Sequence, residues 1–171
     1  HLFFLYITVI NFGVVFLSVK KKWPSVCARA MLFTWMLFIG WAASRFSDKY
    51  QMVALVYMLI YFLLFHFGIL SGKFIYKLKL TVNDIYHLVL NNLALFVAAL
   101  FVFGSEMINA DVAIISLAMA LFVGLQALVF YSLWKDEVVL IRMLSSISLA
   151  LLVMFIGFNW DGFTVTLLWL F

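Results

Sequence analysis

Asn83, Asp84, His87, Asn91 and Asn92 form the most polar stretch of an otherwise apolar chain, so their types and spacing are where chemistry would sit. Asn83, His87 and Asn91 are four residues apart, and Asp84 precedes His87 by three. On a helix all four share one face, running from a membrane interface to about 10 Å deep. Such a face turns away from lipid, towards other helices or towards water. One reading is chemical: Asp84 orients His87 as a proton carrier or general base, and Asn91 and Asn92 bind a substrate headgroup. The other is structural: the amides hydrogen-bond between helices, at about 0.6 kcal/mol per contact, while His87 and Asp84 are simply wet at the interface. Residue types and spacing leave both readings open.

His66, one turn before the inner end of the third apolar stretch, reaches a depth similar to that of His87, so the two can face each other across a packed pair. Two histidines without a third ligand do not make a metal site, because His1 falls on the other side of the bilayer, and no metal is expected. Cys27 is the only cysteine, which excludes an internal disulfide or a thiolate cluster. Nothing resembles a phosphate loop, a nucleophile elbow, HExxH or paired glycosidase carboxylates, so no cofactor is implied. Asn11 and Gln126 read as single buried amides that join helices.

The elements that must position these residues follow from composition. Of 171 residues, 68% are hydrophobic, 19% aromatic and 11% charged, with a mean hydropathy of +1.22. Soluble domains are about 45–50% apolar and about 25% charged, so a water-soluble fold of this size has too little interior to hide the excess. The net charge of +4 comes from a few lysine-bearing loops and not from a basic face with exposed aromatics, which argues against a nucleic-acid partner. The partner is the lipid bilayer. A helix needs about 20 apolar residues to cross about 30 Å of hydrocarbon, and strand alternation is absent. That ruler predicts an all-α polytopic transmembrane helical bundle, a single domain with six full spans plus the start of a seventh. The spans fall at about residues 2–19, 25–44, 52–70, 84–104, 111–133 and 138–158, with 163–171 truncated. The sixth is long enough if Arg142 snorkels to the headgroups.

Charge tests the division. Lys20, Lys21, Lys22, Arg29, Lys73, Lys77, Lys79, Lys135 and Arg142 flank odd-numbered loops, nine basic residues against Arg45 and Lys49 on the other side. Asp48, Glu106, Asp111 and Asp161 all lie on that poorer side. The asymmetry puts the odd-numbered loops in the cytoplasm. The inner lysines could also bind anionic lipid, although orientation alone already accounts for them. Small residues mark packing faces: Gly68 and Gly72 at the end of the third span, and Ser116, Ala120 and Gly124 on the fifth. Whether that second seam is internal or oligomeric, and the oligomeric state itself, stay open. The first apolar stretch lacks a basic n-region and a small-residue cleavage site, unlike a secretory signal peptide. A start at His1 and an end inside the apolar run 164–171 read as a piece of a longer protein, whose remaining transmembrane helices are then its partners.

Asn11-Phe12-Gly13-Val14-Val15-Phe16-Leu17-Ser18-Val19-Lys20-Lys21-Lys22-Trp23, with Thr34-Trp35-Met36-Leu37-Phe38 and Gly40-Trp41, resembles a helix-hairpin pattern of the bacterial membrane-protein family catalogued as domain of unknown function 2339. Arg142-Met143-Leu144, the run 149–157 and Trp160-Asp161-Gly162-Phe163-Thr164-Val165-Thr166-Leu167-Leu168-Trp169 are similar to that family's later helix, D-G turn and W-V-T-L-A-W segment, with Leu168 where the pattern has alanine. Leu88-Val89-Leu90-Asn91-Asn92-Leu93-Ala94-Leu95-Phe96 fits its asparagine-bearing helix. The resemblance implies a long multi-span protein of the bacterial cytoplasmic (inner) membrane, in a family with no established activity or catalytic residues. The leading expectation is a non-enzymatic transport-like or scaffold-like module. The rival is an integral-membrane enzyme acting on a lipid-linked or envelope polysaccharide substrate, with His87 as base. A third class, a purely structural bundle, requires nothing of His87, Asp84 or Asn91 beyond packing.

Overall fold

In hydrocarbon a backbone has no water to satisfy its N–H and C=O groups, so an apolar chain of this kind closes its hydrogen bonds within helices. The computed structural model describes residues 2–104 and 109–160. Six α-helices account for most of them: α1 (Leu2–Lys21), α2 (Pro24–Arg45), α3 (Gln51–Tyr76), α4 (Val82–Phe103), α5 (Asn109–Leu133) and α6 (Val138–Asn159), with one 3₁₀ turn at Asp48–Tyr50. No strand occurs among the described residues. All six helices are long and apolar enough to cross a bilayer, which fits an integral membrane protein. The seventh span expected at 163–171 lies outside the described residues, as do Glu106 and Asp161.

Helix ends follow local chemistry. Lys22 takes a left-handed φ of 56°, and Pro24 opens α2, where its missing N–H is not needed. Ser18 clamps the turn: its Oγ donates to the Trp23 carbonyl at 2.6 Å, while the Trp23 N–H donates to the Ser18 carbonyl at 2.9 Å. The third helix runs six residues beyond the expected end at 70, through a stretch that polarity alone marks as a loop. Its 26 residues span about 39 Å, more than the roughly 30 Å of hydrocarbon, so the last turns emerge where polar side chains cost nothing. Lys77 ends it with φ 56°, its N–H returning to the Gly72 carbonyl. Thr81 then caps α4. Thr81 Oγ1 accepts from the Asp84 N–H at 3.2 Å, and Asp84 Oδ2 accepts from the Thr81 N–H at 2.9 Å and from Thr81 Oγ1 at 2.7 Å. This is a capping box with aspartate in the role usually taken by glutamate.

The chain divides into two compact units, one up to Val102 and one from Phe103 on. In the first, α1, α2 and α3 pack on one another and α4 joins them through its buried face. Phe38, Tyr61, Phe65, Met31 and Leu88 are fully buried there. Phe4 touches Trp41 (ring centroids 4.9 Å apart, 75° between planes) and Tyr57 (5.5 Å), and Tyr61 donates its hydroxyl to the Phe4 carbonyl at 3.0 Å. Asn11 Nδ2 donates to Thr34 Oγ1 at 2.9 Å, joining α1 to α2. Outward faces carry exposed apolar side chains such as Phe16, Phe33 and Leu63, as lipid-facing helices do. In the second unit α5 packs along α6. Arg142 is exposed near the start of α6.

Candidate functional site

Helix α4 carries the polar face, and its residues separate by depth. Nearest the lysine-bearing end, Asn83 is exposed and Asp84 and His87 are half-buried; one to two turns further in, Asn91 and Asn92 are fully buried. Asn91 joins three helices. Its Oδ1 accepts from Trp35 Nε1 of α2 at 2.8 Å, and its Nδ2 donates to the Phe62 carbonyl of α3 at 3.0 Å. Asn92 donates from Nδ2 to the Leu88 carbonyl one turn back, at 2.9 Å.

Asp84 and His87 form no hydrogen bond with each other. The Asp84 carboxylate is held by Thr81, and His87 Nδ1 lies 2.5 Å from the Asn83 carbonyl. A carbonyl oxygen only accepts, so this contact places the proton on Nδ1. In the neutral ring it leaves the Nε2 lone pair available as a base. The orienting group is therefore a backbone carbonyl of the preceding turn.

His87 and Asp84 border a cavity of about 300 Å³ together with Ser25 and Cys27 of α2 and Gly68 of α3. That volume is at the lower limit of small-ligand sites. His66 is not among its walls; its ring is buried against Phe62 (centroids 5.0 Å apart) and meets Phe67 edge-on. The two histidines thus occupy different surroundings. Among the described residues no three His, Cys, Asp or Glu side chains converge as a metal ion requires.

The small residues also differ from one another. A Cβ at Gly68 would lie 2.9 Å from Val15 Cγ1 and 3.0 Å from Cys27 Sγ, so at this glycine side chains of α1 and α2 press closely on α3. At Gly72 nothing lies within 4 Å, and this residue borders open space at the helix end. On α5, Ser116 and Ala120 are buried, and a Cβ at Gly124 would meet Ser148 Oγ of α6 at 2.9 Å. Ser148 itself donates to the Ala120 carbonyl at 2.8 Å, so this small face meets α6 within its own unit.

Two participants escape sequence reasoning. Trp35 gives no sign of its partner, since an indole N–H in an apolar helix pairs with whatever acceptor the fold brings to it. Thr81 is legible in retrospect, because Thr-x-x-Asp before an apolar run is a helix-start signal. No family model, no curated protein and no solved structure matches this chain.

Proposed function

We infer that the chain is a non-enzymatic, scaffold-like helical module of a bacterial cytoplasmic membrane, with its lysine-bearing end in the cytoplasm. It forms part of a longer multi-span protein of the kind that its sequence motifs resemble. The basic asymmetry between alternate loops supports the orientation. The observation that carries the scaffold reading is the Asn91 carboxamide, bonded at both ends to two other helices at zero exposure. A transport path needs polar groups that water can reach. Here the inner part of the polar face closes into a dry seam beside the fully buried Phe38, Tyr61, Phe65 and Leu88.

The test is aqueous access. In a Cys27→Ala background, single cysteines replace His87, Leu88, Asn91 and Leu95 in turn, and membranes are treated with a polar thiol reagent that does not partition into lipid. His87→Cys is expected to react, and Leu88→Cys, Asn91→Cys and Leu95→Cys to stay unmodified until the protein is denatured. Reaction at both Leu88→Cys and Leu95→Cys in folded protein overturns the scaffold reading in favour of transport, whatever happens at position 91.

The cavity beside His87 supports a second reading, an enzyme on a lipid-linked or envelope polysaccharide substrate. In it His87 Nε2 is the base and the Asn83 carbonyl its positioning group. Loss of such an activity in His87→Gln, at unchanged membrane abundance, is the result that would establish it.

A further inference from the structure

The lysines at the end of unit one do more than face water: three of them, from different segments, meet at one concavity. Lys22 follows α1, Lys73 lies in the last turn of α3, and Lys79 sits in the connection to α4; all three border a cavity of about 200 Å³. The left-handed cap at Lys77 brings this about. It reverses the chain so that the Leu78 N–H reaches the Gly72 carbonyl at 3.2 Å, and the following residues fold over the helix end. The one carboxylate in the wall, Asp84, is occupied by the Thr81 cap. Neither Lys22 nor Lys79 forms an ion pair among the described residues. Lys22 Nζ rests 4.5 Å from the centre of the Tyr76 ring, a cation–π contact that holds the ammonium in place without neutralising it. The concavity is therefore positive.

Directly beside it runs an apolar groove of about 460 Å³ between α1 and α3, walled by Phe12, Val15, Leu63, Leu64 and Phe67. The groove and the basic cavity share Val19, Gly68 and Ser71 in their walls, so one leads into the other. Along α3 the groove extends from Ile60 to Ile75, about 22 Å at 1.5 Å per residue, compared with about 15 Å of hydrocarbon in one leaflet. Gly68, which lines both the cavity and the groove, is a point of close helix approach, where a side chain would press on Val15. A positive pocket at the headgroup level, continuous with an apolar channel one leaflet deep, matches an amphiphile whose charge is negative and whose tail is a hydrocarbon chain.

We propose that this compound site holds one anionic phospholipid, its phosphate among Lys22, Lys73 and Lys79 and one acyl chain in the α1–α3 groove. Orientation by basic loops explains lysines spread towards water, but not their convergence on a cavity that opens into a lipid-facing channel. The hydroxyls of the wall are already donating within the protein: Ser18 to the Trp23 carbonyl, Ser71 to that of Gly68, Tyr76 to that of Val19, and Thr81 to the Asp84 carboxylate. Recognition therefore falls to the ammonium groups, which act as point charges, and the site selects for negative charge more than for a particular headgroup.

The experiment uses the full chain in phosphatidylcholine vesicles containing a trace of spin-labelled phosphatidylglycerol or spin-labelled phosphatidylcholine, and reads the motionally restricted fraction of each. The wild type is expected to prefer the anionic probe. The triple variant Lys22→Gln/Lys73→Gln/Lys79→Gln should lose that preference, by roughly five-fold per lysine and on the order of 100-fold in all. Lys20→Gln/Lys21→Gln/Lys135→Gln removes the same charge from outside the cavity and should keep most of it. Leu64→Trp blocks the groove without touching a charge and should lower retention of the anionic lipid, while glycerol phosphate, which has no tail, should not compete. Equal losses in the two triple variants overturn the proposal in favour of a diffuse positive surface. Competition by glycerol phosphate overturns it in favour of a phosphate site without a tail. Unchanged preference in the cavity variant, or cross-linking that finds a second copy of the chain in the groove, overturns it outright.

Discussion

Trp35 and Asn91 define the prediction on which the architecture of the first unit depends. Asn91→Ala removes an acceptor from a buried indole N–H and a donor from the Phe62 carbonyl. The two ends are unequal. Phe62 lies inside α3, so its carbonyl keeps a place in the helical ladder and loses only a second bond. The Trp35 N–H, on a side chain 3% exposed, has no such fallback. An orphaned buried donor costs about 1–3 kcal/mol in water-referenced proteins, but in bilayers single interhelical bonds average about 0.6 and reach about 1.7 kcal/mol, since the unfolded-in-membrane chain also finds partners. Trp35→Phe removes the donor and strands Asn91 Oδ1, together with some packing lost on contraction of the ring. A double-mutant cycle cancels the packing terms. The coupling between Asn91→Ala and Trp35→Phe is expected at about 0.6–1.7 kcal/mol, with the double variant less destabilised than the sum of the singles. Reversible unfolding in mixed micelles, read by proteolysis so that loss of a tryptophan does not alter the signal, measures it. A coupling of zero within error would mean that the bond contributes nothing net, and the case for Asn91 as the join between three helices would fall.

Two further perturbations test the same unit. Gly68→Ala places a methyl group 2.9 Å from Val15 Cγ1 and 3.0 Å from Cys27 Sγ; a destabilisation of about 1–3 kcal/mol is expected, partly relieved by Val15→Ala, whereas Gly72→Ala, with nothing within 4 Å, should be neutral or stabilising by up to about 1 kcal/mol, and the same unfolding assay distinguishes them. Thr81→Ala removes the hydroxyl side of the α4 capping box, leaving Asp84 only the backbone N–H of residue 81, and should cost about 0.5–2 kcal/mol, seen as faster amide hydrogen exchange confined to the first turn of α4; uniform exchange along the helix would refute a local capping role.

Helix count and placement were legible because the bilayer imposes them. A run of about 20 apolar residues has no stable alternative in hydrocarbon, and Lys20 to Lys22 with Pro24, or the polar connection before Val82, interrupt such runs unmistakably. The end of α3, six residues past the expected end of the span, has the opposite cause. Once a helix passes the headgroups, polarity no longer opposes it, and Ser71, Gly72 and Lys73 are compatible with helix or loop. What ends the helix is the left-handed residue Lys77, a lysine and not the glycine that usually advertises such a cap.

The candidate site was legible as a face and not as a set of partners. Spacing places Asn83, Asp84, His87 and Asn91 on one side of α4, but it is silent on what each meets, and the meeting sets the chemistry. Asp84 is three residues from both His87 and Thr81; the helix start decides between them, because an N-terminal turn has free N–H groups and a threonine whose hydroxyl and amide together satisfy the carboxylate. His87 then takes the nearest remaining acceptor, the Asn83 carbonyl. Asn91, two turns beyond the last unpaired amide, has no water to turn to and pairs across to α2 and α3. A single polar stripe therefore divides by depth into a capped, wet end beside a cavity and a dry end that joins helices. If a ligand is handled on this face, it is handled at the wet end, where Cys27, Asp84 and His87 border the same 300 Å³, and substitutions there should alter binding while leaving the Asn91 junction intact.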